Sequence, residues 1–190
     1  MKVEDGKGTG FLAEVDTEHR LQVSSVSSDR AESANIRNEA FVQASDVYSI
    51  GAAAEHKVFY IENGEASREL VVDIEKISFD GGTTSNTKPL TMKCYLNAST
   101  PTTNFSAKDP IGTNTGSGQS STDFIVWDGV GTGFTQSAAG DLLATSIYSI
   151  GMTDNKIPSK LIIGPAKTLT FSFECSEACK VTLQVYTHFI

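Results

Sequence analysis

The side chains here that could carry reactive chemistry are three cysteines, three histidines and 23 carboxylates. Cys175 and Cys179 stand four apart in ECSEACK, a spacing that permits a local disulfide if the two residues flank a tight turn. Cys94 stands alone. An odd count, behind an opening MKVEDGKGTGFLAEVD that has no apolar secretory core, favours reduced thiols made in a cytoplasm. Zinc needs four nitrogen or sulfur ligands, and no histidine or second cysteine pair lies near this one. Reduced thiols, a local disulfide and a metal site are the open readings, in that order.

The histidines do not combine. His19 follows Glu18, His56 follows Glu55, and His188 lies two residues from the C-terminus; no HxH or HExxH spacing arises. All three are expected exposed at strand ends. A nucleophile elbow, GxSxG, is absent, and Gly116-Ser117-Gly118 belongs to a Gly/Ser-rich stretch instead of a strand-to-helix turn. No GxxxxGK[ST] string could cradle a phosphate. Asp73 and Glu75 fall on one face of a predicted strand, the usual wet face of an antiparallel sheet. A glycosidase would need two carboxyls facing each other roughly 5–10 Å apart across a cleft. The expectation is a protein that is not an enzyme, with no cofactor and no metal. Trp127, Tyr60 and Tyr95 could offer a sugar a stacking platform, although Trp127 adjoins the apolar Phe124-Ile125-Val126 and reads as core.

What must position these residues is a series of short strands. Residues 90–96 alternate cleanly, with Leu90, Met92, Cys94 and Leu96 on one face, as in a half-buried strand. In residues 69–79, Val72 and Ile74 alternate with Val71, Asp73 and Glu75. Residues 56–61 stop at Asn63-Gly64, a pair that favours tight hairpins because both residues tolerate positive φ. Residues 97–122 are too long for an ordinary connection and predict a surface loop or an excursion with an edge strand. Residues 141–150 read as a strand or a short helix at their start. Residues 168–174 and 180–190 are strongly β, and ECSEACK between them predicts a terminal hairpin. No strand alternates with a long amphipathic helix, which excludes βαβ architecture. The fold expected is all-β: an antiparallel β-sandwich of the jelly-roll type over residues 46–190, with an extended N-terminal arm over 1–45.

A net charge of −8, with no local basic cluster, argues against nucleic acid, whose binding gains from released counterions only when cations displace them. No apolar stretch approaches the length that spans a bilayer, so no membrane partner is expected.

The arm is mostly polar. Residues 27–43, SSDRAESANIRNEAFVQ, show no continuous apolar face, and two short extended segments precede them, 11–15 and 21–26. Such a segment cannot bury enough apolar area to order itself and so is expected to order on a partner. Its candidate anchors are Phe11, Leu12, Val15, Leu21, Val23, Ile36 and Phe41.

The opening GTGFLAEVDTEHRLQVSSVS, then VYSIG, then KVFYIENGEASRELVVDIEKISFDGG resembles virion structural proteins of tailed bacteriophages, in particular head decoration (cement) proteins with a jelly-roll body. The resemblance is carried by Val15-Asp16, residues 19–23, 58–63 and 70–77, and by Leu96-Asn97-Ala98-Ser99-Thr100-Pro101, within roughly the first hundred residues. It implies a protein made in the bacterial host cytoplasm and located on the capsid surface. Its partners would be the major capsid protein and itself, as a cyclic homo-oligomer such as a trimer. The alternative is a tail or baseplate sandwich that binds host-surface carbohydrate or a receptor.

Overall fold

The computed structural model describes residues 2–4, 12–14, 40–80, 89–112, 123–131, 133–148 and 160–190. Its strands along the chain begin with β1 (Lys2–Glu4), β2 (Leu12–Glu14), β3 (Ala40–Ala44), β4 (Tyr48–Ile50), β5 (Ala54–Asn63) and β6 (Leu70–Asp80). Next come β7 (Leu90–Leu96), β8 (Pro101–Thr103), β9 (Phe105–Lys108), β10 (Ile111–Gly112) and β11 (Phe124–Gly129). The last are β12 (Thr135–Gln136), β13 (Asp141–Tyr148), β14 (Leu161–Ile163), β15 (Thr168–Cys175) and β16 (Cys179–Phe189).

Two antiparallel sheets form a sandwich. The first runs β10-β3-β16-β6-β14, with β4 beside β16 as well; the second runs β13-β7-β15-β5-β11-β9. Setting aside the strands of the 97–140 excursion, the orders are β3-β16-β6-β14 and β13-β7-β15-β5. Most strands consecutive in sequence lie in opposite sheets, an arrangement consistent with a jelly roll. The core lies between the sheets. Val58, Phe59, Ile61, Leu90, Met92, Cys94, Phe171 and Phe173 face it from one side, and Leu70, Val72, Ile163, Val181, Leu183, Val185 and Phe189 from the other. The alternation expected in β7 is present, with Leu90, Met92 and Cys94 buried and Leu96 packed at the margin of the core.

Three expectations need correction. β15 and β16 do not make a hairpin: they belong to different sheets, and residues 176–178 arch between them. Asn63-Gly64 likewise ends a strand of one sheet before the chain crosses to β6 in the other. In both places the residues signal that the chain turns, but not whether the next strand lies beside the last or across the core. The side chain of Asn63, fully buried, ties its corner instead, donating from Nδ2 to the carbonyls of Arg68 (2.9 Å) and Ile163 (3.1 Å) and accepting from the Glu65 N–H (3.1 Å). The third correction concerns the boundary at residue 45. β3 pairs with β16 from Ala40↔His188 to Ala44↔Gln184, so the sandwich already includes residues 40–44, ahead of that boundary.

The excursion after β7 carries β8, β9 and β10, and both β9 and β10 are outermost strands among the described residues. β8 pairs with β12 in a separate ribbon. Residues 141–148 are strand throughout.

Gly133 is held where the chain passes tightly over β5. Its φ is +101°, and a Cβ there would sit 2.3 Å from the Lys57 carbonyl oxygen, a backbone atom that the Phe134 N–H already binds at 2.8 Å. Gly133→Ala is therefore expected to destabilise the fold by about 2–4 kcal/mol, seen as a lower midpoint in urea unfolding. An unchanged midpoint would mean that this crossing is loose.

Candidate functional site

The densest polar cluster with defined geometry lies across β5, β7 and β15. Glu55 accepts from Lys93 Nζ (2.7 Å), Tyr95 Oη (2.8 Å) and Ser172 Oγ (2.8 Å), and Lys93 also reaches Glu174 at 2.9 Å. The β7–β15 register sets Ser172 opposite Lys93 and Thr170 opposite Tyr95, so period-two alternation brings these groups to one face. Burial pushes the Glu55 carboxyl up, but the bonds from Lys93, Ser172 and Tyr95 outweigh it and leave it below its ordinary value. Lys93 is held above its ordinary range by its bonds to Glu55 and Glu174. A general acid at neutral pH needs the opposite shift. Glu55 and Glu174 are bridged by a cation, as in a cross-strand ion-pair network.

An open cleft of about 520 Å³ adjoins the cluster, lined among others by Glu55, Lys57, Tyr95, Asn104, Phe134 and Gln136. The Lys57 ammonium lies 5.9 Å from the centre of the Tyr95 ring. Burial lowers its pKa, with Glu55 acting against that. The stacking platform that Trp127 could offer a sugar is not available. Its ring is stacked between Tyr60 (5.4 Å) and Phe105 (4.6 Å), so both of its faces are used.

None of the three cysteines forms a disulfide, and all three are buried. Burial pushes the Cys94 thiol up to about 12, and burial with the neighbouring Cys175 does the same for Cys179. Thiolate, the reactive form, is scarce at such values. Cys175 and Cys179 mark the arch between the sheets, where a second crossing runs alongside: Ile50 pairs with Cys179 and Ala52 with Cys175. His56 Nε2 accepts from the Gly51 N–H at 3.1 Å in that second crossing. His188, expected to be exposed, is 3% exposed.

The predicted anchors of the arm separate. Phe41 is a core residue, 3% exposed with its ring edge-on to Phe124 at 5.3 Å; a side chain consumed by its own core has no area left for a partner, which removes it from the anchor set. Leu12 lies in β2, paired with Glu4 of β1. Phe11, Val15, Leu21, Val23 and Ile36 lie outside the described residues.

Sequence reasoning missed two features. One is a run of exposed apolar side chains on β13: Leu142 (57% exposed), Leu143 (48%) and Ile147 (65%). Alternation along the chain could have shown Leu143 and Ile147, because Ala144, Ser146 and Tyr148 take the inner parity opposite Cys94, Met92 and Leu90; Leu142 shares that parity and is turned outward only by the irregularity before Ala144. The other is Asp128, fully buried. Its Oδ2 accepts from the Asp46 N–H (2.7 Å) and lies 3.5 Å from Lys108 Nζ, which also binds Asp46 Oδ1 (2.8 Å). Asp128 precedes Gly129 in what reads as an ordinary turn signal, and nothing local marks it as interior.

Among the described residues no group of three or more His, Cys, Asp or Glu side chains is placed to hold a metal ion. No family model, curated protein or solved structure matches the chain.

Burial pushes the Asp128 carboxyl up to about 7, only partly offset by the Asp46 N–H. The native state thus holds this proton more tightly than the unfolded chain, whose carboxyl titrates near 3.8. Its contribution to stability is full below about 3.8 and is lost as pH rises to about 7, by at most about 4 kcal/mol, less to the extent that Lys108 attenuates it. Asp128→Asn keeps an acceptor for the Asp46 N–H and should match the wild type at pH 4 while exceeding it at pH 8. Urea unfolding at the two values checks this; parallel stabilities for the two proteins would contradict it.

Proposed function

We propose that this chain is a non-enzymatic structural protein of a tailed-phage virion, which binds the outside of the capsid and stabilises it across neighbouring subunits as a homo-oligomer. The observation that carries this reading is the pairing at the N-terminus. Among the described residues β1 and β2 pair only with each other, in a two-stranded sheet separate from both sheets of the sandwich. A two-stranded hairpin is marginal in water by itself and needs a third strand or an apolar surface to become stable. An arm that carries such a hairpin gains order by docking on another molecule, and a shell built of repeated subunits offers that surface.

Three further features support it. The strand order is consistent with a jelly roll, the body of the proteins that the sequence resembles. The strongest polar cluster, around Glu55 and Lys93, is spent on holding strands together. The exposed apolar residues of β13 suit association by area. The alternative, binding of host-surface carbohydrate, loses its Trp127 platform and rests on the cleft beside Tyr95.

The test is truncation. Among the described residues every strand of the two large sheets lies at Ala40 or beyond, so a chain lacking residues 1–27 keeps all of them. Its circular dichroism and melting temperature should match those of the full chain, while its co-sedimentation with capsids of the cognate major capsid protein should weaken by at least about tenfold. Full binding by the truncated chain would overturn the proposal.

A further inference from the structure

A sheet ends in strands that have a free row of backbone N–H and C=O groups, and proteins blunt such edges by making them short, charged or covered. Among the described residues most free edges follow that rule. β10 has two residues, β4 and β14 three each, and β9 four, ending in Lys108, while the part of β6 beyond β14 carries Asp73, Glu75 and Lys76. One edge does not. β13 has eight residues, DLLATSIY, with no charge after Asp141.

Its exposed residues share a face. Leu142 pairs with Tyr95, Thr145 with Lys93 and Ile147 with Thr91, and an irregularity between Leu142 and Ala144 inserts Leu143 as an extra residue. Leu142, Leu143 and Ile147 therefore stand on the outer side, each about half exposed or more. Charge favours one kind of occupant. A copy of the chain carries a net charge of −8 and would be repelled along most of its surface, but β13 from Leu142 to Tyr148 brings no charge to a contact. Antiparallel pairing keeps the two Asp141 carboxylates at opposite ends of the ladder, whereas parallel pairing would set them side by side.

We propose that two copies of this chain pair their β13 strands antiparallel about a two-fold axis at Thr145, extending the second sheet through both molecules. Each Ile147 then lies opposite the Leu143 position of the other copy, so the contact contains the same apolar pair twice, as an isologous interface requires. A three-fold ring would need β13 to meet a different edge, and the other described edges are short or, on β6 beyond Val72, charged at Asp73, Glu75 and Lys76. This pairing specifies the homo-oligomer of the coat reading, but its test involves the protein alone, so the two can fail separately.

Light scattering after size exclusion of the full chain, from about 1 to 200 μM, should show a monomer–dimer equilibrium. Ile147→Lys sets a cation on the strand and should raise the dissociation constant by at least about tenfold, with the melting temperature of the monomer unchanged. Thr145→Cys should give a cross-linked dimer with a short bismaleimide, since the native thiols are buried. Ile162→Cys, equally exposed but on β14 of the other sheet, should not. The cross-link readout stands even if the lysine variant folds poorly. A monomer at every concentration, a trimeric mass, or a dimer that neither substitution reports would overturn the proposal.

Discussion

One apolar layer between two sheets dictates the rest of this molecule. Each strand must turn one face to that layer, yet strands consecutive in sequence repeatedly lie on opposite sides of it, so the chain has to change sheets at its corners. β16 shows how far this goes. It lies between β3 and β6, places Val181, Leu183, Val185 and Phe189 in the core, and pairs at its start with β4. Residues from positions 40 to 189 thus depend on one strand, and contacts so distant in sequence predict slow folding compared with a helical chain of this length.

Two of the buried polar residues hold corners, and they are specific. Asn63 satisfies carbonyls from two other segments, and Asp128 anchors the backbone of Asp46 just before β4. At the arch, Cys175 and Cys179 fill space as small apolar groups. Such residues have the composition of a reactive site without its electrostatics: burial holds the Cys94 and Cys179 thiols protonated, and Lys93 holds Glu55 ionised. The outer surface is where unspent interaction capacity remains, on β13 and on the N-terminal hairpin.

Fold class was legible because period-two alternation is a local property, and β7 or β16 displays it within a few residues. Sheet membership was not legible. ECSEACK and Asn63-Gly64 have the residues of a hairpin turn, but whether two strands pair or face each other depends on strands far away in sequence. Phe41 illustrates the same limit at the site level. Its polar neighbours suggested an arm, while its fate was set by β16, more than a hundred residues later. Asp128 escaped notice because its burial comes from packing against the chain around Asp46. Exposure on β13 could have been read for Leu143 and Ile147, since the inner parity carries Ala144 and Ser146, but not for Leu142, which an irregularity in the ladder turns outward.

The central claim, that this chain acts by covering area on a repeated shell, has a direct measure in its stoichiometry. Quantitative mass spectrometry of purified virions counts each protein relative to the major capsid protein. A coat component that bridges neighbouring subunits should be present in copy numbers comparable to that protein. A few copies per particle would contradict the account and place the chain in the tail.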